Sequence, residues 1–289
     1  MSISTKNHQS KNSDVTALWI PGIQDCPGDR EVLCNNLLDN SLLVQNPDAQ
    51  YKVFDTFTDK SNWIKHKIEV EIELIKEQGH RAIIGNSFGA HRATDIINAC
   101  PQIEMAILLN PPKNEISKAT KANDTDRASP SEIMLRPLTL DMLNDTFNDF
   151  LARHEQSYMH ERKRMRKELR ALKNGKPFEE LLRKCREDIE LLIVQAPTDP
   201  WHIQEELSHS NLKHEKMDDT YHYPHVSKPQ ILAKLICKWI NGIRTTNKSE
   251  SESAIANSDA SILNSNQSSL PIFPIQPNSQ ASPKYKSPS

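Results

Sequence analysis

The chain has 289 residues, 36% of them hydrophobic, and a formal net charge of -2. That balance gives no electrostatic case for nucleic acid or an anionic membrane, and a chain of this length can build a core without disulfide or metal staples. The five cysteines, Cys26, Cys34, Cys100, Cys185 and Cys237, contain no Cys-x-x-Cys pair, so buried free thiols are expected rather than a zinc site or a disulfide framework.

No cofactor or metal is expected. Residues 1–14 are polar and lack the apolar core of a signal peptide. No apolar run approaches the roughly 20 residues that span a bilayer. The expectation is a cytoplasmic protein with a flexible lead at 1–14.

Thr16–Ile20 is a short β-like run that ends at Pro21-Gly22. Asp29–Val44 carries Val32, Leu33, Leu37, Leu38 and Leu42 at helical spacing. Tyr51–Phe57 is β-like. Asn62–Gln78 predicts a second helix with Trp63, Ile64, Ile68, Ile72 and Ile75 near one face, closed by Gly79. Arg81–Ile84 is a strand, and a helix follows to about Cys100. Met105–Leu109 is another apolar run, stopped by Pro111-Pro112. Ile189–Gln195 and a weaker Leu212–Met217 read as strands. Ser227–Ile243 closes the pattern as a helix with Ile231, Leu232, Leu235, Ile236 and Trp239 inward. Strands alternating with helices predict an α/β fold, a mostly parallel sheet of about six strands flanked by helices.

From about 114 to 188 no strand is expected, and Leu140, Leu143, Phe147, Phe150 and Leu151 fall at helical spacing. This stretch predicts a helical insertion between two strands. Within it, Glu161–Arg170 is strongly basic. A run of that kind is a solvated helix face or an attraction for an anionic partner such as an acyl-CoA or acyl carrier protein. Residues 244–289 are rich in Ser, Asn and Pro and are expected to be disordered.

The most specific feature is Gly85-Asn86-Ser87-Phe88-Gly89, a Gly-x-Ser-x-Gly motif. It follows a β-like run and opens a helix. In that context the serine sits on a strained strand-to-helix turn with its hydroxyl exposed. Gly85 and Gly89 meet the need for small residues two positions to either side. The plainer alternative is an ordinary β–α turn with a structural serine. Only seven glycines occur in the chain, which gives two at the required places extra weight.

On this motif and the alternation of elements, residues 15–243 resemble the α/β-hydrolase superfamily. The resemblance implies a triad in the order serine, acid, histidine. Asp199, in Ala196-Pro197-Thr198-Asp199-Pro200 after a strand, matches the acid; its alternative is a turn-forming Asp before Pro. His222, in Tyr221-His222-Tyr223-Pro224-His225 before the last helix, matches the base, with His225 as the alternative. Tyr221 stands where the family often has Gly. His91, His202 and His214 are expected to be structural or at the surface. The resemblance also implies two backbone N–H donors for an oxyanion, from Phe88 and from Ile23 in Pro21-Gly22-Ile23-Gln24. Here Pro21 takes the place of the family's His, and a short polar lead stands where the family usually has a β-hairpin before this loop. A compact core with a helical cap at about 114–188 is thus implied, the cap covering the site.

The activity implied is hydrolysis of a small-molecule ester or thioester with no cofactor. An acyltransferase would use the same triad with another acceptor than water. A binding module with the same fold is the non-catalytic alternative.

Overall fold

The computed structural model describes residues 15–22, 25, 27–45, 63–113, 168, 171–172, 174–197, 199, 203, 207–218, 220 and 222–245. The compact unit that carries the sheet is Met1–Trp239, and a second unit begins at Ile240, whose described residues are helical to 245.

Six strands are described: β1 (Val15–Ile20), β2 (Leu42–Gln45), β3 (Ala82–Asn86), β4 (Met105–Leu109), β5 (Glu190–Gln195) and β6 (Leu212–Lys216). Every pairing is parallel, in the order β2-β1-β3-β4-β5-β6. The chain therefore steps outward from β1 to β2, then returns to the other side of β1 for β3. Such a reversal opens a crevice at the carboxyl ends of the strands on either side of it, the usual ligand position in an α/β sheet.

A parallel sheet covered on both faces needs continuous apolar strands, and Ala82-Ile83-Ile84 and Met105-Ala106-Ile107-Leu108-Leu109 supply them, buried throughout. Leu18, Ile83, Leu108 and Ile193 point into the main core cluster. Their strand neighbours Trp19, Ile84, Ile107 and Leu192 point the other way and are equally buried. Each such aliphatic side chain contributes roughly 1.5–3 kcal/mol on removal from water.

The connecting helices are a 3-10 turn (Pro27–Arg30), α1 (Glu31–Leu38), α2 (Trp63–Gln78), α3 (Phe88–Ala99), α4 (Phe178–Leu182) and α5 (Pro224–Ser227), with residues 229–245 helical after it. Three sequence expectations need correction. The single helix over Asp29–Val44 is instead α1 and β2, separated by a turn in which Ser41 adopts φ 63°. The apolar spacing ran on past that break because Leu42 belongs to the strand. Ile231, expected inward, is 54% exposed, whereas Leu232 and Ile236 are buried. The inner face of α2 is wider than expected: besides buried Ile75 and the partly buried Ile68 and Ile72 that pack on the core, it takes in Lys67, Val70, Glu71 and Leu74. Two charged residues are tolerated there because Glu71 pairs with buried Arg92 of α3, Oε1 to Nη2 at 2.9 Å, and Lys67 Nζ lies 3.3 Å from buried Glu168 Oε1.

The strand expected at Tyr51–Phe57, most of the 114–188 insertion, the basic run except Glu168, and the 1–14 and 246–289 ends lie outside the described residues. The described part of the insertion includes α4, whose Phe178 and Leu182 are buried in the main core cluster.

Candidate functional site

Because all six strands run the same way, the loops after β1, β3, β5 and β6 emerge at one edge of the sheet. The loop after β3 is the sharpest. Ser87 has φ 51° and ψ -121°, a backbone conformation that costs a non-glycine residue about 1–3 kcal/mol and persists only where the surroundings enforce it. The surroundings do so by crowding. A Cβ on Gly85 would lie 2.8 Å from Ala90 Cα, and one on Gly89 would collide with the Ile20 carbonyl oxygen. The Ser87 N–H donates to the Leu109 carbonyl of β4 at 2.8 Å. The turn is thus locked by the strand beside it and by the close approach of α3 to β1.

The loops after β5 and β6 bring two more side chains to this serine. His222 Nδ1 lies 2.6 Å from Asp199 Oδ2, and His222 Nε2 lies 2.6 Å from Ser87 Oγ. All three residues are buried. A carboxylate oxygen can only accept, so Nδ1 carries the imidazole proton and donates it to Asp199. Nε2 then accepts from the Ser87 hydroxyl. Sequence reasoning named these three residues, and the structure brings them into one hydrogen-bonded chain. His225, the alternative base, turns elsewhere: its Nε2 lies 3.8 Å from Asp25 Oδ1.

Phe88 is the first residue of α3. Its N–H has no intrahelical acceptor and stands at the positive end of the helix dipole, where a developing anion is favoured. Ile23, the other expected donor, lies outside the described residues, between described Gly22 and Asp25. His91, one turn into α3, is structural: Nε2–H donates to the Pro112 carbonyl at 2.9 Å, and the ring packs 5.2 Å from that of Phe178. Burial pulls its pKa down to about 4, despite that carbonyl's opposing pull. A cavity of about 350 Å³ is lined by Ile68, Phe88, His91, Asp95 and Leu181 among others. Phe88 lines it, and among the described residues Ser87, Asp199 and His222 do not.

Two supporting residues were not read from the sequence. Asn110, at φ 42° just after β4, accepts the Ala196 N–H on Oδ1 at 2.7 Å. The Asp199 N–H in turn donates to the Ala196 carbonyl at 3.0 Å, so Asn110 anchors the turn that presents Asp199. Arg92 donates from Nη2 to the Pro21 carbonyl at 2.9 Å while paired with Glu71, which fixes the start of the loop after β1. An Asn before Pro111-Pro112 was the available signal for the first. Nothing local marks the second. Among the described residues no group of His, Cys, Asp and Glu side chains is placed to hold a metal ion, and no helix is long and apolar enough to cross a membrane.

No protein-family model matches the chain, and no curated protein matches it in sequence. Solved structures do match. A bacterial membrane phospholipase A is 16% identical at a TM-score of 0.58, with 80% of each chain covered. The meta-cleavage product hydrolase CumD of Pseudomonas fluorescens is 14% identical at 0.55, covering 79% of this chain and 90% of its own. The N-acyl homoserine lactonase AidH is 13% identical at 0.54, covering 81% and 90%. With this likeness, its six-stranded parallel sheet and its strand order, the chain has the α/β-hydrolase fold.

Proposed function

We propose that this protein is a serine hydrolase that cleaves a carboxylic ester or thioester through an acyl-enzyme intermediate. The observation that carries the reading is the chain from Ser87 Oγ through His222 to Asp199, with both contacts at 2.6 Å. The structural neighbours, a lactonase, a meta-cleavage product hydrolase and a phospholipase, support hydrolysis as the reaction type.

His222 Nε2 takes the hydroxyl proton as Ser87 Oγ attacks the carbonyl carbon. Asp199 holds the imidazole in the tautomer that leaves Nε2 free to accept, and stabilises the imidazolium that forms. The negative charge that develops on the carbonyl oxygen meets the N–H of Phe88 and that of Ile23. His222 then returns the proton to the leaving alcohol or thiol. Water, deprotonated by His222, attacks the acyl-serine; the bond to Ser87 Oγ breaks, His222 hands the proton to Ser87 Oγ, and the acid is released. The enzyme gives up the Ser87 proton to the leaving group in the first half-reaction and regains one from water in the second.

A fluorophosphonate probe tests the nucleophile directly. The wild-type chain is expected to gain one adduct, on the tryptic peptide containing Ser87, and Ser87→Ala to gain none. Equal labelling of the two overturns the reading. A panel of acyl esters and acyl-CoAs of graded chain length, run on the same pair, then separates ester from thioester.

A further inference from the structure

Beneath the loop after β1 lies a charged cluster that the triad chemistry does not use. Asp25 Oδ2 accepts the Trp19 indole N–H at 2.7 Å and, more weakly, the Gly22 backbone N–H at 3.4 Å and Asn86 Nδ2 at 3.5 Å. Its other oxygen, Oδ1, lies 3.1 Å from Arg30 Nη1, with both side chains inaccessible to solvent, and 3.8 Å from His225 Nε2. One carboxylate therefore touches β1, the loop that follows it, the residue before the nucleophile, the 3-10 turn, and the helix start three residues beyond His222.

Aromatic packing closes the cluster. The Trp19 ring meets that of His225 edge-on at 5.3 Å, and the Arg30 guanidinium sits 5.5 Å from the Trp19 ring centre. Room is scarce where the loop passes the nucleophile: a Cβ on Gly22 would lie 2.8 Å from the Asn86 carbonyl oxygen and 2.9 Å from Ser87 Cβ. Burial alone would push the Asp25 carboxyl up, but Arg30, His225, the Trp19 N–H and the Gly22 N–H together leave it below the usual carboxylate range.

We propose that Asp25 is a positioning residue of the active site, its carboxylate fixing the oxyanion-binding loop and the histidine loop against the Ser87 turn. The proposal rests on the serine-hydrolase reading and adds to it the part that sets the relative placement of its loops. Two features make the carboxylate suited to this. It offers several lone pairs at one point, so it can gather donors from segments far apart in sequence. Its charge is offset by Arg30, so it does not oppose the anion that develops on the substrate nearby. The loop it holds from below is held from the other side by Arg92 on the Pro21 carbonyl.

Donors placed for an oxyanion act only in the transition state, so their displacement lowers kcat and leaves KM alone. The experiment is steady-state hydrolysis of p-nitrophenyl butyrate by the full-length chain, its Ser87→Ala, Asp25→Asn and Trp19→Phe variants, each with a thermal melt. Asp25→Asn is expected to lower kcat by about 10- to 100-fold, within the range for a lost oxyanion donor or below it, with KM within about twofold of wild type. Trp19→Phe, which removes one donor and keeps the ring, is expected to give a smaller loss of the same kind and decides the matter if Asp25→Asn does not fold. Wild-type kcat in a folded Asp25→Asn, a rise in KM alone, or a loss that tracks the unfolded fraction overturns the proposal. Full turnover by Ser87→Ala instead overturns the serine reading alone. If the wild type turns over no ester, nitrogen-15 spectra decide: Asp25→Asn must shift the His222 Nδ1–H resonance as well as the Gly22 amide, and an unmoved His222 overturns the proposal.

Discussion

The Ser87 turn and the Asp25 cluster are built in opposite ways. The turn is local: five consecutive residues, two of them glycines, are forced into a strained bend by backbone crowding. The cluster is non-local. It joins Trp19, Asp25, Arg30, Asn86 and His225 through charge and hydrogen bonds in a buried setting. A backbone constraint tolerates no side chain where the segments meet, and takes backbone of any sequence as its partner. A buried charge constraint needs every partner, because an orphaned ion in a low-dielectric interior costs far more than the pair contributes.

That contrast can be broken or sharpened by substitution. The largest effect belongs to the triad: His222→Ala is expected to lower kcat by about 10,000-fold or more, a loss far beyond any fall in its folded fraction. A folded His222→Ala that hydrolyses esters at the wild-type rate sinks the mechanism.

Next comes the charge. Arg30→Met leaves Asp25 buried without its cation and should cost about 3–5 kcal/mol in urea unfolding. Adding Asp25→Asn to it should recover part of that loss. If the double variant is the less stable by the sum of the two single losses, the residues are not coupled.

A third expectation concerns acid. Buried His91 has its pKa lowered to about 4, so between there and its ordinary 6.5 the unfolded chain binds a proton that the folded chain refuses. Its contribution is complete above the unfolded value and is lost as pH falls through that window, by about 3 kcal/mol. His91→Phe should flatten stability against pH between 6.5 and 4, measured by denaturant titration across the range. An unchanged slope assigns the acid sensitivity elsewhere.

The smallest effect tests the strain. Ser87→Gly relieves the positive φ and should raise stability by about 1 kcal/mol while removing the nucleophile. A destabilised Ser87→Gly means that the turn stores no strain.

The same division explains what was legible in the sequence. β1, β3, β4 and β5 could be read because strands buried on both faces are apolar without interruption. The elbow could be read because its two glycines stand at a fixed spacing on either side of the serine. β2 could not, since Leu42 continued the helical spacing of α1 across the turn at Ser41. The inner face of α2 was drawn too narrow because Lys67 and Glu71 are inward for reasons that lie on other segments: Glu168 for one, Arg92 for the other. Nothing in the sequence around Asp25 and Arg30 marks them as buried. Only the fold brings Asn86 and His225 to them.

The hydrogen bond from the Ala196 N–H to Asn110 has a consequence for how this protein could diversify. β4 and β5 are neighbours in the sheet, in register from Met105 with Glu190 to Leu109 with Val194. Everything between them leaves and returns at adjoining strands. Doubling the length of such an excursion costs only about 0.6 kcal/mol in closure entropy. With the turn before Asp199 pinned to Asn110 at the excursion's base, a change of length within it need not re-aim Asp199 as long as Phe178 and Leu182 keep their places in the core. The chain thus separates where new specificity can be tried from where the chemistry must stay put.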